Sequence, residues 1–171
     1  NITIFSEATG GILFGNTSLT FVSDSGLVFT TTLNGTRLLG PLINDSYTVT
    51  ATLTGYNQRF IRVTVPDSTF QNVNIYMNNG TDVLFNFKTN TGTVIPGVLF
   101  NVYRYINGVR TLVESKISDV SGVAQVSLET TGLYEFTTFA VGFANYSFSL
   151  NPVLFTSYDI ILTSTGGGNV V

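Results

Sequence analysis

The sequence predicts an all-β protein made of two tandem β-sandwich domains, and three observations carry that reading. The first is one stretch. Tyr47, Val49, Ala51 and Leu53 alternate with Ser46, Thr48, Thr50, Thr52 and Thr54 and run into Gly55-Tyr56. Strict alternation over this length marks a half-buried strand that ends at a turn. The second is its return. Tyr134 follows Tyr47, and Gly142-Phe143 follows Gly55-Tyr56, at one and the same separation. The third is what is missing. No window carries a convincing 3.6-residue apolar period, only four prolines occur, and Thr, Val, Phe and Tyr are plentiful. Short strands at close spacing with turn signals between them define sandwiches. The predicted domains are 1–78 and 79–165, followed by a Gly-rich tail, 166–171.

The elements follow in order. Asn1 to Glu7 alternates as a strand, and Thr9-Gly10-Gly11 turns it. Ile12 to Phe14 and Leu19 to Val22 continue the sheet, and Asp24-Ser25-Gly26 turns again. Leu27 to Thr32 is a strand, and Asn34-Gly35 is a hairpin signal. Leu38 to Leu42, broken by Gly40-Pro41, leads to the Tyr47 strand. Arg59 to Val65 and Phe70 to Met77 close the first unit, and Asn78-Asn79-Gly80 is the boundary. Asp82 to Lys88 opens the second unit. Thr91-Gly92 echoes Thr9-Gly10, Pro96-Gly97 echoes Phe14-Gly15, and Ser121-Gly122 echoes Asn34-Gly35 at a larger offset. A longer hairpin around Tyr105 to Arg110 absorbs the difference. Val123 to Leu128, Leu133 to Val141, Asn145 to Leu150 and Val153 to Leu162 complete the unit. Gly166-Gly167-Gly168 makes the tail flexible.

Composition narrows the function. Apolar residues make up 43% of the 171-residue chain, enough for cores, while charged residues reach only 10%. The usual charged share is about 25%. The seven Lys and Arg (Arg37, Arg59, Arg62, Lys88, Arg104, Arg110, Lys116) are scattered. No basic patch therefore points to nucleic acid or an anionic membrane. No cysteine means no disulfide or thiolate site, and no histidine removes the commonest general base and zinc ligand. No apolar run reaches the roughly 18 residues of a membrane helix. No signal peptide is visible before the strand-like Asn1 to Phe5. We expect numbering to begin after a removed signal, because of the sequons.

N-x-S/T occurs at Asn1, Asn16, Asn34, Asn44, Asn79 and Asn145, none with proline between. Asn- and Thr-rich chains produce sequons by chance, but Asn34, Asn44 and Asn79 sit at predicted turns, where a glycan fits. Glycans would also keep so sparsely charged a surface in solution. The expectation is an extracellular, N-glycosylated protein.

Other candidate sites read as structure. Glu114, Asp119, Glu129 and Glu135 are the densest acidic group; paired-carboxylate hydrolysis or Ca²⁺ binding is weighed against solvated strand faces, and the latter is preferred. Asp24-Ser25-Gly26, Asp45 and Asp119-Val120-Ser121-Gly122 fall short of Ca²⁺-loop density. Tyr56, Tyr103, Tyr105 and Phe143 are candidate sugar-stacking residues, although Phe and Tyr at 14 and 8 copies are chiefly core formers. Thr9-Gly10-Gly11 and the triple glycine lack the helix and Lys of a phosphate loop. No catalytic, cofactor or metal residue is assigned.

The order of strand, T-G, x-G, hairpin x-G, and then a Tyr strand ending in G-[YF] resembles the transthyretin-like sandwich. That superfamily includes carboxypeptidase regulatory-like domains and the CnaB repeats of bacterial surface proteins. The resemblance implies seven-stranded immunoglobulin-like sandwiches used as rods, stalks and pilus bodies. Many CnaB domains carry a Lys–Asn or Lys–Asp amide promoted by a Glu. Here Leu84 holds the place of the Lys, and Thr137 or Thr138 the place of the Glu. Lys88, Glu135 and Asp159 are the nearest substitutes, and the first domain has no Lys. The whole chain also resembles, more loosely, the cysteine-free, Asn/Thr-rich thread and pilus subunits of archaeal cell surfaces.

These readings converge on a structural subunit of a cell-surface filament, with itself and its glycans as partners. Asn1-Ile2-Thr3-Ile4-Phe5, a short uncharged strand at a free end, is either the domain's own first strand or a donor strand for a neighbour. Head-to-tail strand complementation is the expected joint. A carbohydrate-binding adhesin or viral fibre module is the alternative.

Overall fold

The structure is a computed structural model that describes residues 1–40, 42–66, 71–150 and 155–165. Among these residues the chain forms strands and no helix. The first body holds β1 (Ile2–Ser6), β2 (Asn16–Ser23), β3 (Val28–Asn34), β4 (Thr36–Arg37), β5 (Asp45–Thr52), β6 (Arg59–Val65) and β7 (Val73–Met77). The second holds β8 (Thr81–Lys88), β9 (Leu99–Ile106), β10 (Val109–Ile117), β11 (Val123–Leu128), β12 (Tyr134–Phe139), β13 (Tyr146–Leu150) and β14 (Ser157–Ile161). In each body a three-stranded sheet faces a four-stranded one. The orders are β4-β1-β7 with β3-β2-β5-β6, then β11-β8-β14 with β10-β9-β12-β13. The second body therefore repeats the first strand for strand, including one parallel pair in each, β1 with β7 and β8 with β14. The fold is all-β, two sandwiches in tandem.

Alternation is what makes the sandwiches. The Tyr47 strand, β5, lies between β2 and β6, with Tyr47, Val49 and Ala51 buried and the threonines turned outward. Ile4, Leu19, Phe21, Ile61, Ile75 and Met77 close the first core around them. The second core is more aromatic. Phe85, Phe87, Phe100 and Phe136 are fully buried, and Phe100 and Phe136 stack at 5.4 Å between centroids. Each such side chain stabilises its body by about 1.5–3 kcal/mol relative to exposure.

Some sequence expectations are corrected here. Asn34-Gly35 is not a hairpin. β3 and β4 belong to different sheets, so the chain turns a corner there, with Gly35 at φ 71° and its carbonyl accepting from Ile4. Ser121-Gly122 does the same between β10 and β11, with Gly122 at φ 72° and its carbonyl bonded to Phe87. A positive φ favours glycine because no Cβ collides. Pairing of β4 stops at Arg37, and Pro41 lies outside the described residues. Ile12 contributes a single bridge to Phe5 rather than a strand. Asp67, Phe70, Val153 and Gly166–Val171 lie outside the described residues. The longer hairpin is where the sequence puts it: Asn107-Gly108, both at positive φ, joins β9 to β10. Asn-Gly suits this two-residue turn because its backbone twist matches that of the strands.

Candidate functional site

The densest concentration of chemistry lies between the two sandwiches. Arg59 opens β6 and is the largest fully buried side chain among the described residues. It enters the opening between β10 and β11 of the second body. Nη1 donates to Glu114 Oε2 at 2.5 Å and to the Ser127 carbonyl at 2.9 Å, Nη2 donates to Glu7 Oε2, and Nε donates to the Tyr76 carbonyl at 2.9 Å. Glu7 stands in the turn after β1, where its Oε1 accepts from Tyr134 Oη and from Arg104 Nη1. Arg104 also donates to Glu129 Oε2 at 2.5 Å. Asn78, just past β7, donates to Glu7 Oε2 at 3.2 Å and to the Ser127 carbonyl at 3.0 Å, and accepts from Ser127 Oγ. Asn57 donates to the Gly80 carbonyl at 2.7 Å and to Ser127 Oγ.

This arrangement obeys the rule for buried charge. Removing an ion from water costs several kcal/mol, and only partners on every lone pair and proton offset it. Among the described residues no buried side-chain nitrogen or oxygen lacks a partner. Three carboxylates nevertheless share two guanidinium groups. Burial pushes the Glu114 carboxyl above its ordinary value of 4.5, while Arg59 pulls it back. Burial is the larger effect. Tyr134, too, is raised above its ordinary 10.0, first by burial.

Apolar contacts surround this polar centre. Tyr76 packs against the second core, and Leu112 against the first. Lys116 Nζ lies 4.1 Å above the Phe60 ring centroid, a cation–π contact across the joint. A Cβ on Gly10 would meet Asn107 at 2.6 Å, so the tip of the β9–β10 hairpin rests on that turn.

The acidic group predicted from sequence is dispersed. Glu114 and Glu129 belong to the joint, and the solvated reading fails for Glu114, which is buried. Glu135 pairs with Arg110 at 2.6 Å. Asp119 Oδ1 accepts from the Ser121 and Val123 amides and shapes a turn. Asp45 Oδ2 accepts from the Ser25 amide and hydroxyl, and the Ser25 hydroxyl chiefly holds its carboxyl below 3.8. Asp24 pairs with Arg62. No group of three metal-ligating side chains converges among the described residues. Of the aromatic candidates, Tyr103 lies under Arg110 at 3.6 Å, Tyr56 and Phe143 pack on the cores, and Tyr105 is exposed. An open groove of about 680 Å³ beside the joint, between Ile61, Val63, Tyr76 and Val109–Leu112, has Arg62 and Arg110 as its charged groups, each already paired.

Lys88 and Asp159 meet at 3.0 Å on β8 and β14, yet both are open to solvent. Hydrogen bonds from Lys88 and Asn86 hold the Asp159 carboxyl below 3.8. Amide formation needs both partners neutral, which burial would bring about and exposure does not. Leu84, at the place of the family's Lys, is itself part-exposed, and Thr138 is buried.

Asn1, Asn16, Asn34, Asn44, Asn79 and Asn145 are all exposed. The N-terminal segment Asn1-Ile2-Thr3-Ile4-Phe5 forms β1 from Ile2 onward, paired with β4 on one side and β7 on the other, with Ile2, Thr3 and Ile4 buried. The joint itself was missed from the sequence. Arg59 reads there as the polar face of a strand, and Glu7 as the last residue of the strand that starts at Asn1.

No protein-family model matches the chain, and no curated protein matches it. Solved structures resemble it at a distance. The Bacillus anthracis TIE protein aligns over 95% of this chain and 33% of its own length, at 15% identity and a TM-score of 0.40. A streptococcal ancillary pilin aligns over 95% of this chain and 61% of its own, at 14% identity and a TM-score of 0.39. The shaft pilin SpaA from Lactobacillus rhamnosus GG aligns over 96% of both chains, at 19% identity and a TM-score of 0.38. This chain thus spans a third of the first protein and about three fifths of the second. At these scores the likeness assigns neither family nor task. Among the described residues no helix is long and apolar enough to cross a membrane.

Proposed function

We propose that this chain is a structural subunit of an extracellular, N-glycosylated cell-surface filament that assembles head to tail. The observation that carries the reading is the joint. Two sandwiches are locked by a buried ion network that spends Arg59, Glu7, Glu114 and Arg104 on contacts across the joint, and among the described residues no buried side-chain nitrogen or oxygen is left without a partner. A binding or catalytic protein keeps polar groups aimed at a ligand; a load-bearing subunit keeps its bodies fixed. Six exposed sequon asparagines support glycan shielding of a sparsely charged surface.

Strand complementation through Asn1–Phe5 enters this proposal as a swap. β1 already fills the centre of its own sheet, so a neighbour's strand takes that place only after Ile2 and Ile4 leave the core, at a cost of about 1.5–3 kcal/mol each. Sedimentation velocity over a wide concentration series tests the self-association. Open-ended growth of species beyond the 18.5 kDa chain is expected. A single unassociated species at every concentration, with the sequons glycosylated, overturns the reading.

A further inference from the structure

Among the described residues of the first sandwich, Phe14 is the most exposed large apolar side chain, at 78%. A single exposed aromatic is ordinary. Phe14 is set apart by how it is held and by what stands beside it.

The chain passes here from the Phe5↔Ile12 bridge, beside β1, to Asn16 at the start of β2 in the other sheet. The backbone is anchored on both sides of the ring. The Leu13 amide donates to the Ile4 carbonyl at 2.9 Å, and the Gly15 amide donates to Asn34 Oδ1 at 2.9 Å. The ring itself rests on Gly35. A Cβ there would meet Phe14 Cδ1 and Cε1 at 3.0 Å each, and Ile12 Cγ2 at 3.5 Å. Glycine at this corner lets the ring lie close, with half-exposed Ile12 beside it. The result is a fixed apolar step that is open to water.

Asn16 lies two positions further on, in the sequon Asn16-Thr17-Ser18. Alternation along β2 turns Asn16 and Ser18 outward, and neither side chain has a hydrogen-bond partner among the described residues. Asn34 is directly opposite Asn16 but is committed. Its Oδ1 serves Gly15, and the Thr36 hydroxyl of its own sequon donates to Thr3 at 3.2 Å. Opposed Cβ atoms stand about 4.5–5.5 Å apart, so two glycans here would crowd each other, and Asn16 is the free partner. Two residues of chain span at most about 7 Å, which keeps a sugar on Asn16 within reach of the ring.

The chemistries match. A pyranose carries hydroxyls around its rim and C–H bonds on its faces. Those weakly positive C–H bonds suit the negative face of an aromatic ring, and stacking takes both surfaces out of water. Spacing alone does not provide such a ring. Phe143 stands equally far before Asn145, but it packs against the second core.

We infer that Phe14 is a carbohydrate seat: the first sugar of an N-linked glycan on Asn16 stacks on the open face of its ring, with Ile12 alongside. The inference rests on the N-glycosylated reading above and adds where one glycan lies, over the corner at which the chain changes sheets.

Four chains test it: wild type, Phe14→Ala, Asn16→Gln and the double variant. Each is made in a glycosylating host and trimmed by an endoglycosidase to one N-acetylglucosamine per occupied sequon. Glycopeptide mass spectrometry reads occupancy, and far-ultraviolet circular dichroism checks folding. Phe14→Ala is expected to lower the melting temperature by about 2–4 °C when Asn16 carries the sugar. In the Asn16→Gln background it is expected to change nothing, since the cycle isolates the pair. Ring protons of the Asn16 sugar are expected upfield in the nuclear magnetic resonance spectrum of the wild type and back at ordinary positions in Phe14→Ala, a ring-current signature that a purely structural Phe14 does not produce. An equal effect of Phe14→Ala with and without the sugar, or an Asn16 left bare while other sequons are occupied, overturns the seat and leaves the glycoprotein reading standing. No sugar on any sequon overturns both.

Discussion

Arg59 decides how the two sandwiches behave, since both buried carboxylates that it holds lose their countercharge with it. Arg59→Leu is expected to destabilise the chain by about 3–5 kcal/mol, the cost of stranding buried charge, read from urea denaturation. A loss below about 1 kcal/mol would mean that the network is not buried in solution. Glu114 gives a second handle. Its folded pKa lies above its unfolded one, so the stability it contributes is present in acid and is lost as pH rises through the folded value. Glu114→Gln cannot titrate. The melting temperature of Glu114→Gln minus that of wild type is therefore expected to increase from acid to neutral pH. A flat difference would show that Arg59 fully compensates the buried carboxylate.

At the level of elements, the linker between β7 and β8 is as tightly built as a core. A Cβ on Gly80 would lie 2.2 Å from the Leu128 carbonyl oxygen, and backbone cannot swing aside as a side chain does. Gly80→Ala is expected to cost about 1–3 kcal/mol, as overpacking does, measured by thermal melting; an unchanged melting temperature would mean the linker stands off β11. The strands themselves were legible in sequence because their information is local. Alternation at Tyr47–Leu53 and Tyr134–Phe139 names the buried face, and the Gly-aromatic endings name the turns. Asn34-Gly35 misled for the opposite reason. The dipeptide favours a positive φ, and a corner between sheets uses that φ as readily as a hairpin does. Arg59 was illegible because its partners are remote. Glu7 lies 52 positions away and Glu114 lies 55 away, and no local pattern links them. A hint was nonetheless present: set against the repeat, Arg59, Glu7, Glu114 and Arg104 are charges that one half has and the other lacks.

At the scale of the molecule, the joint predicts cooperation. Two sandwiches that share a buried network unfold together, so scanning calorimetry of the wild type is expected to show one transition, with equal calorimetric and van't Hoff enthalpies. Arg59→Leu is expected to separate it into two. Two wild-type transitions would mean that the bodies are strung together rather than locked. Electron microscopy of the concentrated, glycosylated chain tests the proposed self-assembly most directly. Filaments are the predicted result. Separate particles at every concentration, with the chain folded and glycosylated, would contradict the account.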